Sequence, residues 1–394
     1  MEKKNILIAI PTLNSGGVEV SLIRFIKELS KNENISITLL LLKKEGIYLK
    51  EVPKNVKILE IKYDNNLYNY NNKKEDIKKY KKFFDKVKFL KIRLPLRNLL
   101  KKNNWEEYYK LLLSHVLPID GKYDLAIDWH GYGHFITTIV ADRIIAKKKA
   151  MWIHDEKNEW LSKVNFWLDS YDRIFCVGQS CMNNVIKNNK SLSLKTEVFY
   201  NMTDYQNIIK KSNEDIDINF DSNVLNIITV GRLEWQKGYD IAIDIAKKLK
   251  ERNFKYCWYV IGGGTLREEL EKLIKENDLD NNFKFLGIIQ NPFPYVKKAD
   301  LYVLSSRHEG YCLATLEAKI LNKVIIATNI DSNREQINDG VNGFLCNLDA
   351  LEFANKIIEV SKNKKLMNNI KDNLSKENFD YTKEFKKLYD LMED

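Results

Sequence analysis

Short apolar runs alternate with helix-period patterns along almost the whole chain of 394 residues, and this alternation constrains the fold more than any other feature. One series of runs lies at residues 5–10, 36–42, 56–61, 125–128, 150–153, 173–177 and 196–199. A second lies at 225–230, 256–261, 283–286, 301–304, 324–327 and 343–346. Amphipathic helical patterns separate most of them, for example at 18–30, 239–252 and 266–277. Such alternation predicts parallel sheets covered by helices on both faces, because a parallel crossover needs a helix. Two series predict two doubly wound α/β domains, and the chain is long enough to give each its own core. The stretch 204–223 is polar and rich in Asn, Asp and Ser, so it reads as interdomain linker. The expected partition is a first domain at 1–204, a linker at 205–223, a second domain at 224–379 and a terminal amphipathic helix at 380–394.

Composition narrows the setting. Five scattered cysteines without a C-x-x-C pair argue against zinc or disulfide frameworks and for a reducing cytosol. The apolar run at 6–10 ends at Pro11, too short for a signal peptide, and no run approaches the ~18 residues of a membrane span. A cytoplasmic location is expected. The net charge of +10 is concentrated in residues 73–102, which hold 13 Lys/Arg against Glu75, Asp76 and Asp85. Large apolar residues such as Phe83, Phe84, Phe89 and Leu90 interleave with them. That pattern suits either an amphipathic helix on an anionic membrane surface or an ordinary helix packed on its own domain. No signature of nucleic-acid binding accompanies it.

Three glycine turns follow predicted strands, where open α/β sheets place their ligands. Gly16 and Gly17 open a helix whose amides could meet a phosphate. Gly231-Arg232 through Lys237-Gly238 sets a planar guanidinium and a mobile ammonium in one loop, enough to neutralise a diphosphate. Gly262-Gly263-Gly264 imitates a dinucleotide fingerprint but carries Arg267 where that motif needs Gly or Ala, so a nicotinamide cofactor is not expected. The stretch 305–318 reads as strand end, tight loop and helix, with Glu309 in the loop and Glu317 on the helix. Carboxylates accept from hydroxyls while outward backbone N–H groups hold an anion. A nucleotide-sugar presents both.

In this order the motifs resemble a known family. Gly231-Arg232 with Lys237-Gly238, Gly262-x-Gly264, Glu309-x7-Glu317, Glu335 and Asn342-Gly343-Phe344 look like the C-terminal half of a family 4 retaining glycosyltransferase, of the glycosyl transferases group 1. Gly16-Gly17-Val18-Glu19, His154 and Tyr200-Asn201-Met202-Thr203-Asp204 agree with its N-terminal half. The resemblance implies a GT-B fold: two Rossmann-like doubly wound domains facing a cleft, with the terminal helix crossing back to the first. It implies that Arg232 and Lys237 grip the donor diphosphate and that Glu317 binds the nucleotide ribose. Glu309 would touch the donor sugar, with the amides of Gly310, Tyr311, Cys312 and Leu313 beside it. Gly16, Gly17, Gly262 and Gly264 would approach the donor, and His154 would donate to a sugar hydroxyl or steer the attacking one. Asp331-Ser332-Asn333-Arg334 departs from the family's usual Gly-Gly pair, which leaves the sugar open.

The expected reaction is transfer of a sugar, with retention, from a nucleoside diphosphate donor to a glycan or lipid-linked acceptor in cell-surface glycan synthesis. A UDP-sugar is the first choice and a GDP-sugar the second. No metal or other cofactor is expected, because Asp215-Ile216-Asp217 and Asp278-Leu279-Asp280 lie outside the strand-end loops. His130 and His134 read as loop residues near the acceptor rather than metal ligands. Two alternatives share the architecture: a nucleotide-sugar 2-epimerase and a non-catalytic nucleotide-sugar-binding module.

Overall fold

In a computed structural model, which describes residues 3–14, 16–64 and 93–393, the chain separates into two units. The first takes the described residues up to Val177, then Cys181–Phe199, and finally the chain from Lys383 onward. The second takes Gly178–Ser180 and Tyr200–Thr382.

The first unit is built on a parallel sheet of β1 (Lys4–Ile10), β2 (Ile35–Leu41), β3 (Lys57–Glu60), β4 (Lys122–Asp128), β5 (Ile145–Ile153), β6 (Arg173–Cys176) and β7 (Thr196–Val198). Their order is β3-β2-β1-β4-β5-β6-β7. Strand order reverses between β1 and β4, so the loops after these two strands diverge and leave a crevice at their carboxyl ends. Ile6 through Ile10 are all fully buried, as expected of a parallel strand covered on both faces. β4 and β5 start earlier than their apolar runs, because Lys122, Asp124 and Lys147–Lys149 extend them with polar residues at the sheet margin.

The second unit carries β8 (Leu225–Val230), β9 (Tyr256–Ile261), β10 (Phe283–Gly287), β11 (Leu301–Leu304), β12 (Val324–Thr328) and β13 (Phe344–Cys346), in the order β10-β9-β8-β11-β12-β13. All neighbours are parallel. Its order reverses between β8 and β11, beneath the loops at 231–238 and 305–312.

The terminal helix Glu384–Glu393 belongs to the first unit. Phe385 stacks on Phe25 at 5.3 Å, Leu388 is fully buried, and the Lys387 ammonium donates to the Val198 carbonyl at 2.6 Å. The chain thus returns to its first sheet after completing the second.

The stretch expected as linker differs. Its first part is the helix Tyr205–Lys211, capped by the Asp204 carboxylate, which accepts from the Asn207 N–H at 3.1 Å. Ile208 is buried in the second unit's core with Leu316 and Tyr302. One anchoring apolar residue suffices there, which is why a polar composition concealed the helix. Of the basic stretch at 73–102, residues up to 92 lie outside the described residues. Residues 93–101 are helical and bury Leu96 in the first core. No helix among the described residues is long and apolar enough to cross a membrane.

Candidate functional site

The two loops at the second unit's switch point are tied together before any ligand arrives. The Arg307 N–H donates to the Gln236 carbonyl at 2.8 Å, the Gln236 amide to the His308 carbonyl at 3.0 Å, and the Ser305 hydroxyl to the Gly238 carbonyl at 2.9 Å. The Arg307 guanidinium grips both Asp240 carboxylate oxygens at 2.8 and 2.5 Å. A fork-on-carboxylate pair is directional, so it sets the loop's orientation as well as its charge.

These ties bring Lys237 to Glu309. The ammonium lies 2.6 Å from Glu309 Oε1, with side-chain exposures of only 14% and 6%. The Ser306 hydroxyl donates to the same oxygen at 2.6 Å. Both bonds land on Oε1, which leaves Oε2 for a hydroxyl of a ligand. Burial works against the Lys237 charge, yet its pKa stands above the ordinary value, with Cys312 and Glu309 opposing the burial. Cys312 is itself pushed up by burial and is a neutral thiol near pH 7, so the carboxylate is the physical cause. Arg232, which pulls the Lys237 pKa down, is exposed and makes no ion pair among the described residues. Of the charges in this loop, Lys237 is balanced by Glu309, the Glu234 carboxylate accepts from the Thr265 N–H and hydroxyl at 3.1 and 2.9 Å, and Arg232 is left exposed at the strand end.

The helix Leu313–Ile320 starts beside this pair. Its first N–H groups have no intrahelical acceptor and add positive potential. Glu317 sits half-buried on its second turn. The amides of Gly310, Tyr311, Cys312 and Leu313 lie at the helix entrance, whereas the Tyr311 side chain turns to the Tyr381 hydroxyl, 3.4 Å away, and the Tyr200 ring. Gly262 has another duty: with φ 152°, any side chain there would strike the Gly231 carbonyl. Gly264 packs likewise on the backbone of Leu233. These two glycines shape the Arg232 loop by close packing. Ser306 was missed by sequence reading, although its three-residue spacing from Glu309 is a local signal. Arg232, Lys237, Glu309 and Glu317 all lie in the second unit.

Gly16, Gly17 and His154 lie in the first. Gly16 is the N-cap of the helix Gly17–Leu29, and the Glu19 carboxylate folds back over it. An incoming phosphate would have to displace that carboxylate. His154 is buried, and its Nε2 lies 2.6 Å from the Trp129 carbonyl. A carbonyl only accepts, so Nε2 carries the proton and Nδ1 is left as an acceptor. In this tautomer the ring's one N–H is taken by Trp129, so of the two roles expected for His154, donating to a sugar hydroxyl or steering the attacking one, the geometry favours the second. Burial lowers its pKa to about 4 against the partial support of the Trp129 bond and Asp155, which makes it a weak base at neutral pH.

The lowered value has a consequence for stability. His154 titrates near 6.5 when unfolded and near 4 when folded, so folding favours the neutral ring. Its contribution is complete above pH 6.5 and is lost as pH falls through 4, a swing of about 3 kcal/mol. Asp128, pushed up to about 6 by burial, acts oppositely, losing its contribution as pH rises through 6. His154→Gln keeps an N–H donor but does not titrate. Urea unfolding between pH 7 and 4.5 is expected to show a steeper stability loss in the parent than in the variant. Identical slopes would remove His154 from the account.

Residues 210–377 match the family model described as glycosyl transferases group 1. This part of the chain is a group 1 glycosyltransferase domain. The chain is 30% identical over 199 residues to N-acetylgalactosamine-N,N'-diacetylbacillosaminyl-diphospho-undecaprenol 4-alpha-N-acetylgalactosaminyltransferase of Campylobacter jejuni, which covers 49% of this chain and 53% of that protein. It spans between about a third and two thirds of the length of the curated relatives it matches first. Among solved structures, Anabaena HepE in complex with UDP-glucose superposes with a TM-score of 0.70 at 17% identity, covering 99% of both chains. Staphylococcus aureus TarM, in complex with fondaparinux, alpha-GlcNAc-glycerol and UDP, gives 0.70 at 14% identity over 99% of this chain and 100% of TarM. At these identities the likeness establishes the fold, which is GT-B.

Proposed function

We propose that this protein transfers a sugar from a nucleoside diphosphate sugar to a glycan or lipid-linked acceptor. The observation that carries the reading is the Lys237–Glu309 pair beside the unpaired Arg232 at the second switch point. A diphosphate leaving group develops negative charge as the glycosidic bond breaks. Preorganised cations and helix N–H groups stabilise that charge without reorganising. Arg232 and Lys237 supply the charge directly, so no metal is required in this scheme. Glu317 binds the nucleotide ribose, and Glu309 presents Oε2 to a sugar hydroxyl. UDP is the favoured nucleotide, in keeping with the UDP and UDP-glucose complexes of the structural neighbours.

Glu309 is committed to Lys237 and Ser306, which disfavours it as a covalent nucleophile. We therefore favour retention by attack from the leaving-group face, with a donor phosphate oxygen taking the acceptor's proton. The first unit then receives the acceptor, and His154 Nδ1 accepts from its hydroxyl. The undecaprenol-linked acceptor named for the Campylobacter relative supports a lipid-linked glycan as acceptor, and the basic composition of residues 73–102 suits an anionic membrane surface.

A panel of nucleotide-sugars, with and without membrane lipid extract and in the presence of EDTA, tests the reading. Lipid-dependent nucleotide release from one donor is expected, and Glu317→Ala should lower kcat/KM for it by about 100-fold, near 3 kcal/mol. A converted sugar-nucleotide would instead indicate an epimerase, and binding without turnover a non-catalytic module. Undiminished turnover by Glu317→Ala would sink the ribose assignment.

A further inference from the structure

We propose that a cavity of about 550 Å³ within the first unit is a saccharide subsite that seats one sugar ring of the acceptor against aromatic faces and the imidazoles of His130 and His134. The inference rests on the reading of the first unit as the acceptor half and adds a place and a ligand class to it.

The cavity opens at the first switch point. Pro11 follows β1, Leu42 follows β2, and the loop from His130 to Phe135 follows β4. Open α/β sheets bind ligands in this position, and the volume falls within the roughly 300–1,000 Å³ of small-molecule sites. The opposite walls are Trp105 and Tyr109 of the helix Trp105–Leu113 and Trp160 with Lys163 of the helical stretch Glu159–Ser170.

The loop is held in shape from below. The buried Asp128 carboxylate accepts from the N–H groups of His130 and Gly131 at 3.1 and 3.2 Å and from the Thr137 hydroxyl at 2.6 Å. Gly131 adopts φ 57°, and a side chain there would collide with the Trp152 carbonyl. The Tyr109 hydroxyl donates to the Gly133 carbonyl at 3.1 Å, tying the loop to the facing helix. A loop so restrained costs little to order when a ligand binds.

The chemistry of the lining selects the ligand. The rings of His130 and His134 lie 5.2 Å apart. Burial, then the neighbouring His134 and His154, push the His130 pKa down to about 3. Burial and the Lys163 charge lower that of His134. Both rings are neutral at pH 7, and a neutral imidazole offers one donor and one acceptor. Sugar hydroxyls also donate and accept, whereas a phosphate or carboxylate wants donors alone. His130 Nδ1 is buried without a hydrogen-bond partner. A hydrocarbon chain in the cavity would leave it so, at a cost of about 1–3 kcal/mol, while a hydroxyl would satisfy it. Trp105 and Trp160 line the cavity, with the Lys163 ammonium over the Trp105 ring at 4.8 Å; an indole suits the C–H side of a pyranose, and both indoles report on occupancy.

Intrinsic tryptophan fluorescence of the full chain, without nucleotide, is titrated with the methyl glycosides of glucose, galactose, N-acetylglucosamine and N-acetylgalactosamine, and with farnesyl phosphate as a lipid-phosphate probe. A saturable response to at least one methyl glycoside is expected. His134→Ala should raise its midpoint by about three- to tenfold, the factor a lost hydrogen bond represents, and His134→Gln should recover part of it. Thermal unfolding of both variants checks that they fold. No response to any methyl glycoside, a response to farnesyl phosphate alone, or a response unmoved by His134→Ala in a folded protein overturns the proposal. The nucleotide-sugar panel is read separately. Turnover without a saccharide response removes only this subsite, and a saccharide response without turnover removes the enzyme reading.

Discussion

Replacing Lys237 with Met is expected to abolish donor use and to destabilise the second unit by about 3–5 kcal/mol, the usual cost of removing one partner of a buried ion pair. Both effects have one cause. Glu309 is 6% exposed at its side chain and takes its 2.6 Å bonds from Lys237 and Ser306. Without the ammonium, the carboxylate stays in a site that excludes water, with a single neutral donor. Its repulsion of an incoming diphosphate, now uncompensated, removes donor affinity as well. The double variant Lys237→Met/Glu309→Gln no longer buries a charge, so it should regain most of the stability and none of the turnover. Urea unfolding combined with titration of the nucleotide-sugar measures both quantities. A single variant as stable as the parent would show that the pair is not buried in solution.

Arg232→Ala should do the opposite, leaving stability within about 0.5 kcal/mol, as for surface positions generally, while weakening donor binding. The guanidinium is exposed and makes no ion pair among the described residues, so nothing in the fold depends on it. A charge-assisted bond to phosphate is worth about 1.5–3 kcal/mol, an increase in Kd of roughly 10- to 100-fold. The parent's affinity should fall with ionic strength more steeply than the variant's, since one exposed charge pair is screened in the first and absent in the second. Arg232→Lys should restore only part of the loss, because an ammonium cannot match the fork-shaped contact. Calorimetric titration at low and high salt tests this, and an unchanged Kd at low salt would remove Arg232 from the diphosphate contact.

The contrast between these cations shows where sequence reading reached and stopped. Both stood in the Gly231–Gly238 loop as candidates of equal standing. Only the structure buries one on Glu309, 72 residues away, and leaves the other in solvent. Glu309 itself could equally have been an exposed loop acid. His130 and His134 were legible as loop residues near a strand end. Their surroundings were not, because Trp105 and Trp160 come from distant segments and no local pattern announces that they line one cavity. His154 was legible as a strand-end residue, but its direction was not, since the Trp129 carbonyl that accepts its hydrogen bond is supplied by the neighbouring strand's loop.

The strands and the site-forming turns were settled by the sequence alone. Apolar runs buried on both faces admit few alternatives to parallel strands, and the glycines and the Arg-to-Lys spacing are chain-local. The helix Tyr205–Lys211 escaped because Ile208 gains its burial from elements far along the chain. Tertiary structure alone decided which polar groups are paired, buried or left open to a ligand. Period and spacing are properties of neighbouring residues, whereas desolvation and Coulomb energy depend on every atom that packs around a group, wherever in the chain it lies.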